Sequence, residues 1–136
     1  MDRLSRARRG WLMSRVGSRD TLPELRVRRA VFGMGYRYRL NDPRYPGKPD
    51  LVFPRHRKIV FVHGCFWHGH EACRYARLPK TRVRFWTAKI ERNRERDREV
   101  EEKLRFMGWR ILTVWQCDTK DAEKMEMKLR DFLDGK

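Results

Sequence analysis

The segment that most restricts how this chain can fold is His63-Gly64-Cys65-Phe66-Trp67-His68-Gly69-His70-Glu71-Ala72-Cys73. It is too irregular for a strand or helix, yet it follows directly on the apolar run Ile59-Val60-Phe61-Val62. Such a loop has few apolar groups with which to pack, so something else must hold it. Cys65, His70 and Cys73 lie within nine residues, and Cys117 follows a second apolar strand. Three thiolates and one imidazole form a closed tetrahedral set of the structural Zn²⁺ type, which would pin the loop to the end of that strand. Cys65, His68, His70 and Cys73 supply a rival local set, and spacing does not choose between them. Three cysteines cannot pair evenly, so a metal in a reduced intracellular compartment is expected rather than a disulfide framework.

Around that loop the chain reads as alternating elements. Thr21-Leu22-Pro23-Glu24 has the form of a capping box, with Pro in the first turn and Glu at the third helical position. The helix it opens is expected to turn Leu25, Val31 and Phe32 inward and to stop near Gly33 or Gly35. Tyr36 to Leu40 alternates like a half-exposed strand, and Asn41 to Pro49 is a proline-rich loop. Asp50 to Phe53 and Lys58 to His63 read as two strands, the second central because it is continuously apolar. From about Thr81 a long helix carries Trp86, Ile90, Asn93, Asp97, Val100, Leu104 and Met107 on one stripe and ends at Gly108. A buried strand, Trp109 to Trp115, and an amphipathic helix through Met125, Leu129 and Phe132 complete the pattern. The predicted class is an α/β sandwich around a mixed sheet. Its 136 residues suffice for one core that buries roughly two-thirds of the unfolded surface. The division expected is a flexible basic arm over 1–20 and a single domain over 21–136.

Charge narrows the partner. Lys and Arg number 34 against 18 Asp and Glu, a net +16. Residues 1–39 hold 11 basic and 3 acidic residues, residues 74–98 hold 10 and 3, and the C-terminal third is close to neutral. Arg supplies 25 of the cations, and its planar fork suits bidentate phosphate contacts. Two segregated basic segments point to a nucleic-acid backbone and away from a small-molecule enzyme. No apolar run approaches the ~20 residues of a membrane span.

If the metal takes the three cysteines and His70, His63 and His68 are left over. His63 ends one strand and Asp50 begins the strand before it, so both fall at one edge of the sheet. A carboxylate at a strand end is suited to hold Mg²⁺ against a scissile phosphate, with a backbone carbonyl such as that of Val62 as a further ligand. A histidine titrating near neutrality can deprotonate the attacking water, and Asp97, a polar break in the helical stripe, can orient that imidazole.

These residues carry a family resemblance. Gly47-Lys48-Pro49-Asp50, Phe61-Val62-His63-Gly64-Cys65-Phe66-Trp67-His68, Arg84-Phe85-Trp86, Asn93 with Glu95-Arg96-Asp97-Arg98, and Gly108-Trp109-Arg110-Ile111-Leu112-Thr113-Val114-Trp115 occur in that order. Together they resemble the very short patch repair (Vsr) mismatch endonucleases. The resemblance runs from about Ser14 to Cys117. It implies a restriction-endonuclease-like α/β/α sandwich, a structural Zn²⁺, and Mg²⁺-dependent nicking 5′ of a T mispaired with G, the product of 5-methylcytosine deamination. Residue by residue, Asp50 matches the metal-binding aspartate and the Val62 carbonyl the second protein ligand. His63 and His68 match active-site histidines, with His68 as general base, and Glu24 matches an active-site glutamate, a position that the capping-box reading explains as well. Asp97 matches the partner of the catalytic histidine, and Cys65, His70, Cys73 and Cys117 match the Zn²⁺ set. There are departures. Val62 stands where threonine is common, the His70-to-Cys73 spacing differs by one residue, and no Glu-x-Lys follows Asp50, so histidine chemistry would replace it.

The aromatic residues of the loop add a reading of the mismatch. Phe66 and Trp67 are adjacent on a charged loop and cannot both turn inward easily. A wobble pair stacks poorly, so wedging rings beside it costs less than at a Watson–Crick step. The resemblance implies that Phe66, Trp67 and Trp86 intercalate there, with Lys89 and Asn93 contacting bases or phosphates. It implies double-stranded DNA with a T:G mismatch as partner, mismatch-repair proteins and a repair polymerase downstream, and a monomeric, cytoplasmic, nucleoid-associated bacterial protein. A nickase of different specificity in a restriction system, and a zinc-stabilised binding module without catalysis, are the alternatives.

Overall fold

A computed structural model describes residues 21–135; the arm expected over 1–20 lies outside them. Helix α1 (Leu22–Gly33) is followed by strands β1 (Arg39–Leu40), β2 (Leu51–Phe53) and β3 (Lys58–His63). A loop with one 3₁₀ turn leads to helix α2 (Val83–Phe106), then strand β4 (Arg110–Trp115), a second 3₁₀ turn (Gln116–Lys120) and helix α3 (Ala122–Asp134). The sheet order is β1-β2-β3-β4, antiparallel as far as β3 and parallel between β3 and β4. The mixed α/β expectation holds, and β3, buried along its whole length, is internal to the sheet.

Strand alternation sorts the core into two layers. Leu51, Phe53, Val60, Val62 and Val114 face one way and pack with Val27 and Val31 of α1 and Met125, Leu129 and Leu133 of α3. Val52, Ile59 and Phe61 face the other way, against Leu104 of α2 and Trp109. Helices therefore cover both faces. Lys58 is buried at the start of β3 because its ammonium donates to the carbonyls of Phe132 and Leu133 at 2.7 and 2.9 Å, where the last turn of α3 lacks intrahelical partners.

Two details differ from expectation. Leu25 and Phe32 are 43% and 55% exposed, and the inward face of α1 runs through Glu24, Val27 and Val31. A buried carboxyl at the first inward position disguises the helical phase. Strand β4 sits at the sheet edge, with only Val114 fully buried, so it is less covered than its composition suggests.

Candidate active site and metal centre

The register of the two long strands builds both sites at one end of the sheet. His63 lies opposite Trp115 in the parallel β3–β4 pair. Two residues beyond each strand end stand Cys65 and Cys117, and the Cys117 N–H donates to the Cys65 Sγ at 3.4 Å. Ligand atoms of Cys65, His70, Cys73 and Cys117 all lie within 4.8 Å of one another. The His70 ring stacks on the Trp115 indole at 4.1 Å and 7°, which holds its plane, and its Nδ1 is 3.5 Å from the Cys117 Sγ. Gly69 turns the loop at φ +60, and a Cβ there would meet Ile90 of α2 at 2.5 Å. Burial pushes the Cys65 thiol up to about 12, while hydrogen bonds from its neighbours lower that of Cys73, and a cation among them would favour the thiolate form of Cys65. The Cys₃His group could hold a metal ion. His68, from the rival local set, is not in it.

His68 stands instead in the second group, with His63 and Asp97. Its Nδ1 is 2.6 Å from the Asp97 Oδ2. A carboxylate only accepts, so Nδ1 is the donor, and in the neutral ring the lone pair is on Nε2. His63 and His68 stack face to face at 3.8 Å and 5°. Burial, reinforced by His68, holds His63 down to about 4, so it is neutral at pH 7.

Asp50 reaches the same place from β2. Its Oδ2 accepts the Val62 N–H at 2.6 Å. Burial pushes its carboxyl up to about 7, against that N–H, and the neighbouring Glu24 carboxyl raises it further through charge and a shared hydrogen bond. Glu24 is buried, accepts from Arg28 at 3.3 Å, and donates its backbone N–H to the Oγ1 of the N-cap Thr21 at 3.4 Å, so the helix start that Thr21 caps delivers the Glu24 side chain to the cleft. Two carboxyls brought together in a buried site, one of them raised chiefly by burial and further by the other, fit a hard divalent cation. The Asp50 loop is braced by Asp42 with Arg44 at 2.6 Å and by Tyr45 edge-on to Trp109 at 5.0 Å.

Glu24, Asp50, Val62, His63, His68 and Asp97 line one cleft of about 450 Å³. Beside it Phe66, Trp67 and Trp86 form a cluster with ring centres 5.1–5.9 Å apart, and Trp67 is 47% exposed. Asn93 donates to the Trp67 carbonyl at 2.8 Å, fixing the loop from α2, while Lys89 is exposed on the same helix.

Comparison with known proteins now decides the family. Residues 1–74 match the family model for the DNA mismatch endonuclease Vsr. The DNA mismatch endonuclease Vsr of Escherichia coli K12 is 41% identical over 120 residues, covering 88% of this chain and 76% of that protein. The chain belongs to the Vsr family. It is a DNA endonuclease. Relatives include the Type II nicking enzyme V.XorIIP of Xanthomonas oryzae pv. oryzae, 50% identical over 133 residues and covering 98% of this chain and 97% of its own length. Another is the Type II nicking enzyme V.NmeAIP of Neisseria meningitidis, 39% identical over 138 residues, with 98% coverage of each. Among the described residues no helix is long and apolar enough to cross a membrane.

Sequence reasoning misses two residues of this Vsr-family site. Trp115 stacks on His70 and lies edge-on to His63 at 5.5 Å, so one indole buttresses both groups. Phe85, 44% exposed, extends the aromatic cluster by packing on Trp86 at 5.1 Å. Trp115 comes to light only through the parallel pairing of β3 with β4, which sets it opposite His63. Nothing in the sequence separates Phe85 from a core aromatic.

Proposed function

We propose that this Vsr-family endonuclease nicks one strand of double-stranded DNA on the 5′ side of a T mispaired with G. The observation that carries this reading is the convergence of Asp50, His63 and His68 on one cleft beside exposed aromatic rings. The reading assigns Mg²⁺ to Asp50 and the Val62 carbonyl, and Zn²⁺ to Cys65, His70, Cys73 and Cys117. Bound Mg²⁺ would neutralise charge on the scissile phosphate and hold it in place.

The chain's own residues do the proton work. His68 Nε2 accepts a proton from the attacking water, and Asp97 holds the ring and stabilises the imidazolium that results. His63 stays neutral, so it serves as a hydrogen-bond donor rather than as a cation. Water oxygen bonds to phosphorus, the P–O3′ bond breaks, and the leaving oxygen takes a proton, giving a 3′-hydroxyl from which a polymerase can extend. Glu24 shares the Asp50 site and sets its charge. Phe66, Trp67 and Trp86 wedge beside the weakly stacked T:G step, where unstacking, which costs a few kcal/mol per step, is cheaper than at a matched one. A restriction-endonuclease-like fold agrees with helices on both faces of the mixed sheet.

Relatives named as nicking enzymes support a second reading, a nickase of other specificity. Single-turnover nicking of end-labelled duplexes separates the two. Faster cutting of the T strand in a T:G heteroduplex than in the matched duplex is expected. Equal rates on both would refute mismatch selection and leave the second reading.

A further inference from the structure

Among the described residues the cleft's acidic groups all have partners, and two of its cations do not. Asp50 takes the Val62 N–H, Glu24 pairs with Arg28, Asp97 with His68, and Glu101 with Thr113 and Arg105 at 3.4 and 3.7 Å. Lys48 and Arg96 line the same cleft, and among the described residues neither side chain makes a hydrogen bond or ion pair. They come from two different elements, Lys48 from the loop that delivers Asp50 and Arg96 from α2, one residue before Asp97.

The backbone at Lys48 is costly. Lys48 sits at φ 44 in the left-handed region although it is neither glycine nor asparagine. It also precedes Pro49, whose ring crowds the residue before it. The turn is pressed onto α2: Gly47 has φ +77, and a Cβ there would meet Val100 Cγ1 at 2.6 Å. A non-glycine residue in this region is strained and persists where the surroundings enforce it. Here they set a long cationic side chain at the cleft edge, two residues from Asp50, with no anion of the described residues to satisfy it.

We infer that Lys48 and Arg96 together hold the phosphodiester backbone of the strand to be cut, one from the Asp50 loop and one from α2. This subsite rests on the reading of the cleft as a nuclease site, and it concerns which residues position the strand rather than which do chemistry. Lys48 is a positioning residue. Its compact ammonium on a flexible stem can follow a phosphate as the metal-bearing edge engages, while the Arg96 fork can grip it bidentately.

The test measures binding and cutting separately. Lys48→Met, Lys48→Arg and Arg96→Met are compared with the unaltered protein by equilibrium binding to a T:G duplex without divalent metal, across a salt series. Removing one cation from a phosphate lowers the log–log salt slope by about 0.9. Lys48→Met and Arg96→Met should each show that change, Lys48→Arg should restore the slope, and single-turnover nicking by Lys48→Met should fall at least tenfold. Lys48→Gly removes the charge and relieves the backbone together, so it should bind like Lys48→Met while melting no lower than the unaltered protein. An unchanged salt slope in Lys48→Met, or a loss that Lys48→Arg does not restore, would overturn the inference. The binding readout requires no hydrolysis and can be repeated on matched DNA, so it stands apart from any failure of mismatch selection.

Discussion

Replacing Asp97 separates two things its carboxylate does for His68. The Oδ2–Nδ1 distance is 2.6 Å, and the two side chains are only 25% and 28% exposed, so solvent screens the pair weakly. A hydrogen bond to a charged group contributes about 1.5–3 kcal/mol net. Withdrawn only as the imidazolium forms, that is roughly a 10- to 150-fold rate effect at about 1.4 kcal/mol per factor of ten. In Asp97→Asn the amide oxygen can still accept from Nδ1 and keep the base-competent tautomer, so only the charge is removed. Asp97→Ala removes charge and orientation together. The expected order of single-turnover nicking is unaltered, then Asp97→Asn down about tenfold, then Asp97→Ala down about a hundredfold. DNA affinity measured without metal should change less than twofold in both. A rate for Asp97→Ala within twofold of the unaltered protein, or a loss that arises wholly in binding, would refute the assignment of His68 as an Asp97-oriented base.

Other outcomes follow from the same geometry. Because the Asp50 carboxyl is raised to about 7 by burial and Glu24, the unfolded chain ionises first as pH rises from about 4 to 7, and the metal-free protein loses stability over that window. Asp50→Asn should therefore gain in melting temperature relative to the unaltered protein as pH rises, and a difference flat with pH would contradict it. His63 works in the opposite sense: held down to about 4, it costs stability as pH falls from about 6.5, and His63→Phe should lessen that acid loss in thermal melts. Cys117→Ser should release metal, measured by elemental analysis, and lower the melting temperature by roughly 10 °C, as expected for losing several kcal/mol of metal-linked folding energy. Unchanged metal content would remove Cys117 from the set. Trp67→Ala should narrow the ratio of T:G to matched nicking, and an unaltered ratio would locate the wedge elsewhere.

Much of this arrangement is legible in the sequence because chemistry and periodicity coincide. The apolar hexamers around Val60 and Leu112 point to paired strands, and the donors that follow them, Cys65 and Cys117, do come together. Asp97 stands out as a carboxylate on an otherwise core-facing stripe, and its side chain holds His68. The phase of α1 is not legible, because Leu25 and Phe32 have inward chemistry while buried Glu24 has outward chemistry. A carboxyl goes inside only with partners: Arg28 is one turn away on the same helix, but the cleft that Glu24 shares with Asp50 is formed by a segment far along the sequence. Trp115 is hidden for a related reason: its contacts with His63 and His70 depend on parallel strand register, which no local pattern specifies. That Lys48 and Arg96 have no partner among the described residues is likewise a property of the assembled cleft.

The most direct test of the central claim is a Mg²⁺ titration of nicking on a T:G duplex by the unaltered protein and by Asp50→Ala, with DNA binding measured in parallel. Metal-dependent cutting that disappears in Asp50→Ala while DNA binding persists is the expected result. Undiminished cutting by Asp50→Ala would contradict the assignment of this cleft as the place where the strand is broken.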